Sequence, residues 1–215
     1  MIRELLHAAA RGNFPPEDGV TQVVAAAAGA QAAVLSFTAH HVVAAGIDPG
    51  LVAARLPEGD LGAPMSPGFL GWLGERLGSH PGSLDVVLAA PRVGRGPAPG
   101  PAAGGRPGPA SAGRQGHPLS ARPAVWTDPD GAGVLVLGRG LAGRREVAFE
   151  VDPSRRNRGL GRLLVTCARH LTPPGAPLFA QIAAGNAASL RVVEAAGFRP
   201  LGAEVLFHRD GADPT

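Results

Sequence analysis

A chain of 215 residues with 45% hydrophobic content allows one large domain or two small ones with a buried core, so it falls in the globular class. Its single cysteine, Cys167, excludes an internal disulfide and a cysteine zinc site, which fits a reducing cytoplasm. The formal charge of +3 is unevenly spread, with −4 over residues 1–91 and +7 over residues 92–215, so the C-terminal half suits an anionic ligand or nucleic acid.

The first residues, Met1-Ile2-Arg3-Glu4-Leu5-Leu6, lack the basic-then-apolar order of a secretory signal, and residues 2–10 are expected to form a short helix. Asn13–Asp18 reads as a loop, and Val20–Val24 and Ala33–Phe37 read as strands. Val20–Ile47 has no charged side chain, but Gln22, Gln31, Ser36, Thr38, His40 and His41 dilute it, so no membrane span is expected. Asp48-Pro49 opens a helix through Leu56. A second helix starts at Ser66-Pro67, where serine suits the N-cap and proline the first turn, with Phe69, Leu70, Leu73 and Leu77 on one face. Leu84–Ala89 completes a small α+β module over residues 1–91 that carries no chemical motif. His40-His41 lacks metal-ligand spacing and the seven histidines include no H-E-x-x-H, so they read as core or surface residues and no metal is expected.

Between Gly94 and Pro118 there is no Val, Ile, Leu, Met, Phe or Trp, only Gly, Pro, Ala, Arg and a few polar residues. Such a segment cannot bury enough apolar area to offset the entropy of ordering it, so residues 92–123 are expected to be a disordered linker. From Ala124 the pattern is regular: a strand to Trp126, the turn Asp128-Pro129-Asp130-Gly131, a strand Val134–Leu137 and a strand Arg145–Val151. Gly138-Arg139-Gly140-Leu141-Ala142-Gly143 fits the dinucleotide fingerprint G-x-G-x-x-G. A strand follows it where a helix is required, so a hairpin loop is the better reading.

Val151-Asp152-Pro153-Ser154-Arg155-Arg156-Asn157-Arg158-Gly159-Leu160-Gly161-Arg162 leads from that last strand into an amphipathic helix beginning near Gly159. Leu160, Leu163, Leu164, Cys167, Ala168 and Leu171 are expected to form its buried face, with Cys167 a small core residue, and Pro173-Pro174-Gly175 ends it. The first N–H groups of a helix lack internal partners and lie at the positive end of its dipole, so a diphosphate can bind there. Gly159 and Gly161 would let the backbone approach without a Cβ between, and Arg155, Arg156, Arg158 and Arg162 add guanidinium forks at the rim.

The strand ending Val151-x-Pro153, then Arg156-x-x-Gly159-x-Gly161, a strand Leu178–Ala183, Asn186-x-x-Ser189, a short helix and Gly197-Phe198 resemble the core of the GNAT superfamily of N-acyltransferases over residues 124–208. The resemblance implies an α/β (α+β) fold, a GNAT-like mixed sheet with flanking helices in a domain spanning residues 124–215, preceded by the N-terminal module and the Gly/Pro/Ala/Arg-rich linker. It implies a cytoplasmic N-acetyltransferase that moves an acetyl group from acetyl-CoA, its cosubstrate, to a primary amine of a small molecule, protein or peptide, with no metal and no membrane partner. By the same resemblance, backbone donors over Arg156, Asn157, Arg158, Gly159, Leu160, Gly161 and Arg162 hold the pyrophosphate. Val151, Asn186 and Ser189 lie along the pantetheine arm. Asn186 equally suits the N-cap of its helix, three residues before Ser189. Glu146 and Glu150 are candidate bases for the ammonium, and solvated edge-strand carboxylates otherwise. The sequence departs from the family at Val193, where many members place a tyrosine that protonates the leaving thiolate. No tyrosine exists in the chain. A degenerate acyl-CoA-binding protein without turnover is therefore the alternative. An arginine-rich nucleic-acid binder is third, weakened by the 4% aromatic content.

Overall fold

The computed structural model describes residues 1–26, 30–91 and 120–209. The helices are α1 (Ile2–Ala9), α2 (Pro49–Arg55), α3 (Pro67–Leu77), α4 (Leu160–Leu171) and α5 (Ala187–Ala195). The strands are β1 (Thr21–Val24), β2 (Ala33–Phe37), β3 (His40–Ala44), β4 (His80–Ala90), β5 (Ser120–Thr127), β6 (Gly133–Arg139), β7 (Arg145–Val151), β8 (Leu178–Ala183) and β9 (Arg199–His208). Together they make a mixed α/β architecture in which parallel and antiparallel strand pairs occur side by side. The chain divides into two compact units, Met1–Val87 with the chain from Leu201, and Leu88–Pro200. Residues 92–119 of the expected 92–123 linker lie outside the described residues, and its last four residues, 120–123, belong instead to β5.

In the first unit the strand order is β1-β3-β2-β9, with the start of β4 beside β9. β1 runs parallel to β3, while β2 is antiparallel to both β3 and β9, with Val34 opposite Val43 on one side and Val205 on the other. Val34, Val43, Val52, Phe69, Leu73 and Phe207 form its core. α3 begins as its sequence dictates: the Ser66 hydroxyl accepts from the Phe69 N–H at 3.2 Å, and Pro67 follows at the first helical position. α2 is capped in the same way by Asp48, whose Oδ1 accepts from Gly50 and Leu51.

β3 has no counterpart among the strands expected from sequence, although all five of its residues are buried. The reason lies in the two-residue turn before it. Thr38-Ala39 holds neither glycine nor asparagine, yet Ala39 takes φ 51, so the hairpin reverses without a recognisable turn signal. That strand carries two buried histidines. His40 Nδ1 lies 2.8 Å from Asp18 Oδ1, whereas neither ring nitrogen of His41 has a hydrogen-bond partner among the described residues.

In the second unit the end of β4 lies beside β8, followed by β7, β6 and β5. β7 is parallel to β8, with Glu146 opposite Phe179, and the β5, β6, β7 meander is antiparallel. β5 starts at Ser120, earlier than the expected Ala124. The Asp128–Gly131 turn closes as expected, with Gly131 N–H on the Asp128 carbonyl at 2.9 Å. The Gly138–Gly143 glycines join antiparallel strands, and the Gly140 N–H donates to the Arg144 carbonyl at 3.0 Å, which is a hairpin and not a dinucleotide turn.

α4 packs on β6 and β7. Leu164, Val165, Cys167 and Ala168 are its buried residues, and burial raises the Cys167 thiol pKa, so it is a small core residue. The expected apolar face needs correction at two places, because Leu163 is 38% and Leu171 44% exposed. At about 100° per residue Leu163 falls roughly 140° away from Ala168, outside the buried stripe, and Leu171 is the last helical residue. Val165 takes up the buried position that Leu163 does not.

Candidate functional site

The route from β7 into α4 is pinned at several points before the helix begins. The Asp152 N–H donates to the Ala132 carbonyl at 2.7 Å, tying the end of β7 to the β5–β6 turn. Asp152 Oδ1 then accepts from the Ser154 N–H and hydroxyl, at 2.8 and 2.6 Å, and closes a short 3-10 turn over Pro153–Arg155. Arg155 Nη2 reaches Asp130 Oδ2 at 2.9 Å, a largely exposed pair worth about 1 kcal/mol or less. Arg156 Nε donates back to the Val151 carbonyl at 3.1 Å. Asn157 and Gly159 both adopt left-handed backbone, φ 59 and 84, conformations that asparagine tolerates and glycine reaches without strain. The chain thereby turns through Arg158 and enters α4 at Leu160.

The N-terminus of α4 is bare. Gly159 is its N-cap, no side chain caps it, and its first turn has no acidic residue. The helix-internal ladder begins at the Leu163 N–H, which donates to the Gly159 carbonyl at 3.0 Å, leaving the N–H groups of Leu160, Gly161 and Arg162 ahead of it. A Cβ on Gly159 would meet nothing within 4 Å, so open space faces the cap. Arg158 and Arg162 are exposed there. Cations at the positive end of a helix dipole each cost about 0.3–1 kcal/mol, so the charges have the wrong sign for the stability of α4 and the right sign for an anion.

The two glycines differ in what they do. A Cβ on Gly161 would lie 3.4 Å from both Phe149 Cε2 and Val192 Cγ1, and 3.6 Å from Val151 Cγ2. Gly161 therefore faces the seam between α4, β7 and α5, and not a phosphate path. A Cβ there would sit in ordinary van der Waals contact, so the seam holds little space for a larger side chain on the first turn of α4. Gly133 on β6 is tighter, because a Cβ there would meet Leu164 Cδ1 at 2.9 Å and Leu160 Cδ2 at 3.1 Å.

Gly161 also identifies the α4 side of β7 as the face of Phe149 and Val151, so Glu146, Ala148 and Glu150 stand on the other face. The two glutamates are not equivalent. Glu150 is exposed, opposite Val134 on β6. Glu146 is only 3% exposed, and its Oε1 accepts from Nε of the fully buried Arg144 and, at 3.4 Å, from Gln181 Nε2. The Arg144 guanidinium in turn lies 5.5 Å from the centre of the Phe179 ring. Glu146 is thus no solvated edge carboxylate. A carboxylate paired with a buried guanidinium is a poor proton acceptor, since taking a proton would weaken that ion pair. The carboxyl group lies where a Cβ of residue 140 would be, so Gly140 leaves room for it. Sequence alternation places Glu146 and Glu150 together on one face but does not reveal the pairing with Arg144, which lies just before the strand begins.

Asn186 caps α5: its Oδ1 accepts from the Ser189 N–H at 3.1 Å. That leaves its amide NH₂ as the part able to meet a ligand. Ser189 is half-buried on the first turn of α5. Val193 is fully buried, and its carbonyl accepts from the Phe198 N–H at 3.0 Å, locking the end of α5 to the start of β9. Asp130, Asp152 and Val192 were not singled out from sequence. The first reads as a turn residue and the third as one more apolar helical position, and only the fold brings them to the mouth of α4.

Residues 147–206 match the family model described as FR47-like protein, a GNAT-related family. The C-terminal part of the chain is therefore similar to GNAT-type, acetyltransferase-like domains, and the matched stretch contains the bare helix end, Asn186 and Val193. No curated protein matches the chain. Among the described residues no helix is long and apolar enough to cross a membrane, and no group of three or more His, Cys, Asp or Glu could hold a metal ion.

Proposed function

We propose that the protein is an N-acetyltransferase that binds acetyl-CoA at the N-terminus of α4 and passes the acetyl group to a primary amine. The observation that carries this reading is the bare, arginine-flanked start of α4 inside the FR47-like region. In this reading the N–H groups of Leu160, Gly161 and Arg162 hold the diphosphate, and Arg156, Asn157, Arg158 and Gly159 shape the turn before them. Val151, the Asn186 NH₂ and Ser189 line the way for the pantetheine arm.

The amine nitrogen attacks the thioester carbonyl carbon, the C–S bond breaks, and coenzyme A leaves as thiolate. The enzyme contributes mainly position. Glu150, exposed at the far end of β7, is the candidate to take the proton from the ammonium, directly or through water. Glu146 is not, because its carboxylate is held by Arg144. Thiols ionise at about pH 8.5, so water can protonate the departing sulfur without a tyrosine. The acceptor is an amine of a small molecule, protein or peptide, and a cytoplasmic setting belongs to the same proposal.

The apolar, fully buried Val193 favours a second reading, an acyl-CoA-binding protein without turnover. Calorimetry with acetyl-CoA, followed by free-thiol release against a panel of amines and peptides, separates the two. Binding with amine-dependent thiol release supports the transferase. Binding without release across the panel supports the second reading, and no binding removes both.

A further inference from the structure

The strand order of each unit ends in an edge among the described residues, β1 in the first and β5 in the second. An edge strand presents unpaired backbone N–H and C=O groups, and proteins ordinarily blunt it with charge, proline or a bulge. β5 is blunted: Pro123 lies within it, and its register on β6 shifts between Ser120 and Ala124. β1 is not. Its sequence Thr21-Gln22-Val23-Val24 has no charge and no proline, and it pairs with β3 in unbroken register.

The bonds on one side of β1 specify the other side. The Val20 and Val24 carbonyls accept from the His41 and Ala45 N–H groups, at 2.9 and 3.0 Å. Alternate residues of a strand turn their backbone groups to the same neighbour in a parallel pair, so those of Val20, Gln22 and Val24 face β3 and those of Thr21 and Val23 face outward. Exposed apolar side chains gather at this edge. Val20 precedes the strand, Leu51 lies on α2, which packs on β1, and Leu61 Cδ2 lies 3.6 Å from where a Cβ on Gly19 would be. Isolated exposed aliphatics are ordinary, whereas three around one unblunted edge mark an interaction surface.

We propose that β1 pairs with β1 of a second copy, antiparallel about a two-fold axis at Gln22, to form a homodimer. That axis sets Thr21 opposite Val23 of the second copy and Val23 opposite its Thr21, so the outward-facing groups exchange N–H···O bonds in both directions. It also sets the exposed Gln22 opposite itself. A carboxamide is donor and acceptor at once, so two copies of it are complementary where two like charges would repel. A strand of another protein would gain the backbone bonds but not this self-matching.

The test is sedimentation equilibrium of the full chain, repeated on Gln22→Lys, on Gln22→Glu and on their equimolar mixture. Gln22 is exposed, so each variant should keep the wild-type melting temperature. The expected results are a reversible wild-type dimer, a dimer dissociation constant raised at least about tenfold in each variant alone, and recovery of the dimer on mixing, because lysine then faces glutamate. A wild type that stays monomeric to roughly 100 µM would overturn the proposal. So would a dimer that both variants leave intact, which would lie on another surface, or one that mixing fails to restore, which would not set residue 22 against itself.

Discussion

The starts of α3 and α4 show two opposite ways to finish a helix. At α3, Ser66 closes the end with its own hydroxyl, Pro67 removes one orphan donor, and the chain satisfies itself. At α4 the cap is a left-handed glycine, no side chain accepts from the first turn, and arginines stand where acids would help. The α3 end is built for stability. The α4 end gives up roughly one to two kcal/mol of capping and dipole energy and is packed tightly from behind by Phe149, Val151 and Val192, so its exposed donors are held in place. The difference teaches that the site is recognised by what the helix leaves unsatisfied.

The largest expected losses of stability come from buried positions of the second unit. Gly161→Val should destabilise the second unit by about 1–3 kcal/mol through overpacking against Phe149 and Val192, seen as a lower melting temperature before any ligand is added. A folded Gly161→Val variant of wild-type stability would contradict the seam described here. Glu146→Gln should cost a comparable or greater amount, about 3–5 kcal/mol, because it removes the charge paired with the fully buried Arg144.

Glu150→Gln tests the chemistry and not the fold. Stability should change by less than about 0.5 kcal/mol at this exposed position, while turnover should fall about 10²-fold or more if the carboxylate takes the proton. Unchanged turnover in a pH series would remove it from the mechanism. With no tyrosine to act as acid, turnover at saturating acetyl-CoA is expected to rise with pH and level off, and a reversible alkaline fall would reveal an acid elsewhere.

Much of this was legible before the fold was known, and the rest was not for identifiable reasons. The order of elements from β4 onward, the caps Asp48 and Ser66, and the start of α4 are local signals, carried by periodicity and by Gly, Pro and Ser at the right offsets. β3 was hidden because Ala39 makes a turn without turn chemistry. The role of Gly161 is not legible in the sequence because a motif glycine can serve a ligand or a neighbour, and only the positions of Phe149 and Val192 decide. The Arg144–Glu146 pair was invisible for a similar reason, since burial of a charged residue depends on what the fold lays over it.

His41 gives a smaller effect that sharpens the contrast from the first unit. Burial pushes its pKa below the ordinary histidine value, opposed by a Leu61 backbone group and aided by the neighbouring His40. The unfolded chain therefore binds a proton near pH 6.5 that the folded chain refuses. Stability from this group is complete above about pH 6.5 and is lost as the pH falls below it, with a slope of at most about 1.4 kcal/mol per pH unit. His41→Leu should flatten the acid limb of a denaturant-stability profile between about pH 6.5 and 5, and an unchanged slope would show that His41 accepts its proton in the folded state.

At the two helix starts a small change in stability separates from the change in binding. Ser66→Ala should cost about 1 kcal/mol and leave coenzyme A affinity alone. Arg162→Glu should stabilise α4 by about 0.3–1 kcal/mol while weakening coenzyme A binding at least tenfold, because the new carboxylate suits the dipole and repels phosphate. Loss of stability in Arg162→Glu, or undiminished affinity, would break the contrast between the two helix ends.

The most direct measurement is an amide NMR titration of the full chain with coenzyme A, following the two helix starts together. The largest shifts are predicted at the N–H groups of Gly159, Leu160, Gly161 and Arg162, with those of Ser66–Leu70 unmoved. Saturable binding that shifts amides elsewhere and leaves the start of α4 untouched would contradict the assignment of this helix end as the site.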